Sequence, residues 1–401
     1  MSVVQLPPEI LRTGHPAPVS VRDAEGRLLL ARGVVLASDD QRRQLIARAL
    51  YVDELEGELL KRALAGKLDT MLRQNAPLGE IAKAQADGVV LSTATATRRG
   101  HDPAREWANL QMRCSSLMQD PPPADFLPRI QKLEQELLAL VEADADLTLL
   151  ILVQSTTSDA HRYSVTHGLL VAALCELAAR QLPAFTSTWR SSLRLAALTM
   201  NMAMTALQDQ LAVQDEPPSS QQRAVIDRHA QRAVVCLRQS GVTDELWLQA
   251  VEHHHTSLAG PLSDHPAGLQ LARLLQRADI FSARLSMRRA RPAQAATAAI
   301  KAAYLDEHLQ ADEAGKALIQ VTGIYPPGSY VRLSSGELAV VLRRGSHAKT
   351  PKVASIISRS GTPLGEPAVR DTRLRLHEVV GGVAPHEVKV RLNMERLLHL
   401  A

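Results

Sequence analysis

Apolar and polar positions change their rhythm three times along the chain. Residues 18–36 set a turn cluster, Asp23 to Gly26, between two apolar segments, which predicts a hairpin. Ser38 then offers an N-cap for a helix running to about Ala49, and Tyr51-Val52-Asp53 returns to strand-like residues. Residues 1–60 therefore read as a small α/β module. Over 61–125 the pattern fades: Thr93 to Arg99 is rich in Thr and Ala, and helix cannot propagate through Pro121-Pro122-Pro123. This stretch reads as a connector with some helical content.

From Phe126 to Thr322 apolar residues recur at helical spacing, as in Ile130, Leu133, Leu137, Leu138 and Val141. Breaks at Pro183, Pro217-Pro218, Gly241, Gly260-Pro261 and Pro292 divide residues 126–322 into six or more predicted helices. After Gly323 alternation returns in Ser329–Leu333, a turn at Ser334-Ser335-Gly336-Glu337, and Leu338–Leu342, so 323–401 is predicted to be β-rich. The expected fold class is mainly α, a helical bundle with a small N-terminal α/β module and a β-rich C-terminal tail. No internal repeat of roughly 20 to 50 residues is evident.

Composition narrows this picture without changing it. The chain has 401 residues, 45% hydrophobic and 22% charged, the balance of a globular protein with room for two or three domains. Aromatics are only 3%, so Leu, Ala, Val and Ile must fill the core. A net charge of +4 without a polybasic run gives no support to nucleic-acid binding. Cys114, Cys175 and Cys236 are widely spaced, with no C-x-x-C pair, which fits a reducing compartment. The N-terminus lacks a basic and an apolar signal region, and no stretch approaches about 18 uninterrupted apolar residues. The expectation is a cytoplasmic protein without a membrane span.

The candidate chemistry lies in the helical region. His167 sits in one apolar helix, His229 in a second, His253-His254-His255 close a third, and Asp279 falls in a fourth. Imidazoles converging from separate helices on a carboxylate are the usual way a bundle builds a metal site. Each histidine taken alone reads more simply as a hydrogen-bonded or solvent-facing residue. Three consecutive histidines cannot share one helix face, so at most two belong to a site. His15, His101, His347, His377, His386 and His399 stand singly in polar contexts and read as solvated.

The order of these residues resembles the HD-GYP family, a branch of the HD superfamily whose members hydrolyse cyclic di-GMP at a two- or three-metal centre. Tyr163-Ser164-Val165-Thr166-His167 is similar to the opening helix and its first ligand, Arg228-His229-Ala230 to the isolated histidine, Glu252-His253-His254 to the paired one, and Ala278-Asp279-Ile280-Phe281 to the closing aspartate. The stretch from Gly323 to Glu337 is also similar to the segment after the helical core in many members. The resemblance covers about residues 126 to 345, and the N-terminal module more loosely. It implies an HD-superfamily bundle, metal ligands at His167, His229, His253, His254 and Asp279, and phosphate contacts from Arg288 and Arg291.

The departures are as informative. Where the family reads A-x-L-x-H-D-x-G-K, this chain has Ala196-Ala197-Leu198-Thr199-Met200-Asn201-Met202-Ala203-Met204. The family's aspartate bridges two metals; Asn201 is neutral, Met200 is a soft thioether and Met204 carries no charge. The GYP motif is missing too, since Thr256 to Pro266 keeps only Gly260-Pro261. Three readings are open. In the leading one the protein is catalytically degenerate, a signalling or interaction module that binds cyclic di-GMP and holds at most one residual divalent ion, Zn, Mn or Fe. The alternatives are a weakly active metal-dependent cyclic di-GMP phosphodiesterase and a nucleotide-independent adaptor similar to the HDOD branch. A signalling protein partner and a homodimer are the expected associations.

Overall fold

The computed structural model describes residues 3–53, except 8, 9, 25, 26, 32 and 49, and residues 102–401, except 159, 307 and 308. Of the connector predicted over 61–125, residues 61–101 lie outside the described residues. The chain divides into two compact units, Met1–His101 and Asp102–Ala401.

In the first unit, strands β1 (Val3–Gln5), β2 (Val21–Arg22), β3 (Leu28–Leu30) and β4 (Tyr51–Asp53) form an antiparallel sheet of order β1-β4-β2-β3. The predicted hairpin is the β2–β3 pair. Helix α1 (Asp39–Ile46) starts where Ser38 accepts a hydrogen bond from the Gln41 N–H. Leu11, Val19, Val21, Leu36, Leu50 and Val52 fill its small core.

The second unit begins earlier than the helical periodicity suggests. Helix α2 (Pro103–Leu117), capped by Asp102, sends Trp107, Leu110, Cys114 and Leu117 into the same core as the later helices. These are α3 (Phe126–Ala143), α4 (Ala145–Ser158), α5 (Tyr163–Ala179), α6 (Ser187–Thr199), α7 (Thr205–Val213), α8 (Ser220–Gln239), α9 (Glu245–His253), α10 (Ala267–Leu285), α11 (Ala296–Tyr304) and α12 (Glu313–Thr322). Every residue of α5 is buried, which makes it the axis of the bundle. Small residues at Ala172, Ala173, Ala178 and Ala179 let its neighbours close around it. Glu176 on α5, Glu134 on α3 and Arg194 on α6 form a buried ion cluster in which Arg194 Nε donates to Glu134 at 2.6 Å. Paired and hydrogen-bonded is the state in which such charges tolerate burial.

Strands β5 (Tyr330–Leu333), β6 (Leu338–Arg343), β7 (Lys352–Ile357), β8 (Pro363–Asp371) and β9 (Val379–Val383) make an antiparallel sheet of order β8-β7-β6-β5-β9. Alternation sends Tyr330, Val340, Leu342, Ala354 and Ile356 to one core with Leu150 of α4, and Val331, Leu333, Ala339, Val341 and Val353 to the other. Arg343 and Arg344 reach Asp144 and Asp146 at the start of α4. Gly328 is required where the tail meets α4: its φ is +86°, and a Cβ there would stand 2.8 Å from Val153 and 2.9 Å from the Leu150 carbonyl. Helix α13 (Met394–Leu400) ends the chain, burying Leu397 with the first of these cores.

Candidate metal centre

Two clusters of side chains meet around Asp279. The first is built on the buried axis. His167 of α5 is 1% exposed; its Nε2 lies 2.8 Å from Asp279 Oδ1 and its Nδ1 2.9 Å from Ser282 Oγ. Asp279 and Ser282 are three residues apart, so one face of α10 presents both. A carboxylate only accepts, which puts the proton on Nε2 and leaves Nδ1 to accept from the Ser282 hydroxyl. One turn before His167, Tyr163 stacks on the imidazole at 5.3 Å and 11°. The Arg288 guanidinium covers the other part of this column, 4.5 Å from the Tyr163 ring centre, and donates to the phenol oxygen. Burial would raise the Asp279 carboxyl, but the hydrogen bond from His167 holds it well below the usual carboxylate range.

The second cluster comes from α8 and the end of α9. His229 is buried with Ala230 and Ala233 on the inward face of α8. On α9 the stripe Trp247, Ala250, Val251 carries the helical period to His254, which is also buried. Nδ1 of His229 bonds the Ile226 carbonyl and Nδ1 of His254 the Val251 carbonyl, the latter at 2.6 Å. A carbonyl only accepts, so both Nδ1 atoms carry the proton and both Nε2 atoms are lone pairs. These two Nε2 atoms face each other at 3.2 Å. Burial pushes His254 down to about 3, and burial likewise lowers His229. No proton is therefore available to sit between them near neutral pH.

That arrangement is what a divalent cation needs. Two imidazole nitrogens on one tetrahedral ion stand about 3.3 Å apart, given Zn–N bonds of about 2.0–2.1 Å. Metal-bound histidines also characteristically donate their other N–H to a carbonyl or carboxylate, which orients the ring. His255 completes the set: ligand atoms of His229, His254 and His255 all lie within 4.8 Å of one another, the group of this kind found among the described residues. Three imidazoles fit a borderline divalent ion well.

His253 is not with the other histidines. It lies one position off the buried stripe of α9, is 39% exposed in its side chain, and reaches only Glu252, at 4.0 Å, and Thr256. His255, just past the helix end, takes the position that His253 was expected to fill. Met200 is buried in the core after α6, while Asn201 and Met204 are half-buried on the short turn leading to α7. None of the three offers an anionic oxygen. Asp209 is committed elsewhere, accepting from Ser164 N–H at 2.8 Å and Ser164 Oγ at 2.9 Å at the start of α5. Arg288 and Arg291 flank a tight turn, each N–H donating to the other's carbonyl. Arg291 also donates to the Ala283 carbonyl, and the Nε atoms of both arginines are buried without a hydrogen-bond partner. Sequence reasoning missed His255, Ser282 and the Tyr163 column; the stripe Trp247–Ala250–Val251 was the available signal for choosing His254 over His253.

The chain resembles HD-GYP proteins by comparison as well as by motif. It is 29% identical over 258 residues to a curated cyclic di-GMP phosphodiesterase of Pseudomonas aeruginosa, an alignment covering 62% of this chain and 61% of that protein. The alignment thus spans about three-fifths of the relative's length. A solved structure of an HDG"Y"P protein from Bdellovibrio bacteriovorus aligns over 80% of this chain and 99% of its own, at 15% identity and a TM-score of 0.43. No family model matches the chain. Among the described residues no helix is long and apolar enough to cross a membrane.

Proposed function

We propose that this HD-GYP-like chain is a one-metal, non-hydrolytic module that binds cyclic di-GMP. The observation that carries the reading is the pairing at the centre: the three-imidazole set stands ready for one ion, while His167, the ligand expected for another, is engaged by Asp279 and Ser282. The position that bridges two metals in the family is Asn201, which is neutral. Two cations close together need an anionic bridge to offset their repulsion, and here the bridging position offers none.

His229, His254 and His255 would hold the ion. A bound divalent ion supplies a Lewis-acidic positive charge toward a phosphoryl oxygen. The chain's own residues do the rest of the binding. Asp279 keeps His167 oriented, His167 supports the Tyr163 ring, and Tyr163 fixes the Arg288 guanidinium by stacking and a hydrogen bond. Arg288 and Arg291 then present charge to the phosphodiesters of the nucleotide.

Calorimetric titration of cyclic di-GMP into metal-loaded protein tests this. Binding should weaken about tenfold or more in Arg288→Ala/Arg291→Ala, since a charge-assisted contact is worth roughly 1.5–3 kcal/mol. Unchanged affinity in the double variant would remove the arginines from the site. Absence of binding by the wild-type protein would favour the nucleotide-independent adaptor.

A further inference from the structure

A cavity of about 460 Å³ opens on the far side of Arg288, between the α4–α5 connection, the end of α7, the turn after α10 and the C-terminal tail. Its size is that of small-molecule pockets, about 300–1,000 Å³. Arg288, Arg289, His161 and His386 line it, and no carboxylate does among the described residues. Val213, Met287, Pro292, Ala293 and Pro385 supply an apolar wall. Arg288 is held by Tyr163, yet its Nε is buried without an acceptor. Arg289 has an acidic neighbour, Asp215 at 3.0 Å; both side chains are more than half exposed, so this pair is cheaply exchanged.

A cavity lined by two arginines together with apolar surface matches an organic anion with a flat or apolar body. We infer that it is a pocket for a phosphomonoester of nucleoside size, with the phosphate among Arg288, Arg289 and His386 and the base or other apolar body against Met287, Pro292 and Pro385. A phosphomonoester brings about −1.5 to −2 charges and three acceptor oxygens, enough to engage several of these donors together. His386 belongs to the tail and the two arginines to the helical part, so the ligand clamps one to the other. The pocket excludes Arg291 and the three-histidine set, and it requires neither a metal nor a cyclic dinucleotide.

The test is calorimetry on the full chain freed of metal with chelator, using 5′-GMP, with guanosine as the phosphate-free control. The expected result is binding of 5′-GMP but not guanosine, weakened about tenfold or more in Arg289→Ala/His386→Ala and unaltered in His253→Ala. Both residues of the double variant are exposed, and an unchanged unfolding midpoint will show that it folds. Failure of 5′-GMP to bind, or equal affinity in the double variant, would overturn the pocket. Cyclic di-GMP binding without 5′-GMP binding would sink the pocket alone, whereas the reverse would sink the function proposed above and leave the pocket standing.

Discussion

Two lone pairs facing each other at 3.2 Å are unfavourable unless something positive lies between them, and at His229 and His254 burial keeps the protons away. That contact decides the chemistry of the centre at the scale of single residues. His254→Ala should reduce the metal retained after loading and desalting from about one ion per chain to background, measured by elemental analysis. His255→Ala should lower it too, and His253→Ala should leave it unchanged. Retention in His254→Ala with loss in His253→Ala would mean that the histidines are assigned one position out. At this scale the sequence was partly legible. His167, His229, His254 and Asp279 can be picked out because polar residues on apolar helices need partners. Choosing between His253 and His255 needs the end of α9, where the helical period stops governing direction.

Among the elements, α5 explains why periodicity could not orient the site. Its face toward His167 is no more apolar than its other faces, because all of them are buried. The pattern identifies a helix but not which side meets α10. The same burial makes its charge cluster sensitive. Replacing Arg194 with Met would leave Glu134 buried without its ion partner, while Glu176 keeps Arg180 and Arg190, and should cost roughly 3–5 kcal/mol in denaturant unfolding. A cost under about 1 kcal/mol would show that the cluster relaxes toward water. In the sheet, Arg370 of β8 holds Glu337 by several hydrogen bonds, which keeps its carboxyl below the ordinary range. A depressed folded-state pKa contributes stability that is present above the unfolded value, about 4.3, and is lost as pH falls through the folded one. Glu337→Gln should therefore cost about 1–3 kcal/mol at pH 7 and less at pH 3. An equal cost at both pH values would contradict that role.

For the molecule as a whole, the three-part reading of helical bundle, N-terminal module and β-rich tail was open to sequence because periods of 3.6 and 2 are distinct. The contribution of α2 was not fully so: Trp107, Leu110, Cys114 and Leu117 do fall at helical spacing, but Pro121-Pro122-Pro123 sets them apart from the later helices whose core they share. Nor was the docking of the tail, which rests on Leu150 beneath Tyr330 and Val340, and on Arg343 and Arg344 at α4. Leu150→Ala should destabilise by roughly 2–5 kcal/mol, with helical and sheet signals lost in one transition. Separate transitions would show that tail and bundle fold independently.

A centre that holds one metal without hydrolysing its ligand is tested most directly by incubation with the nucleotide. Purified protein loaded with Mn(II) or Fe(II) under anaerobic conditions should leave cyclic di-GMP intact after overnight incubation at high protein concentration, with nucleotides resolved by chromatography. A linear dinucleotide that forms only with metal and disappears in His254→Ala would contradict it.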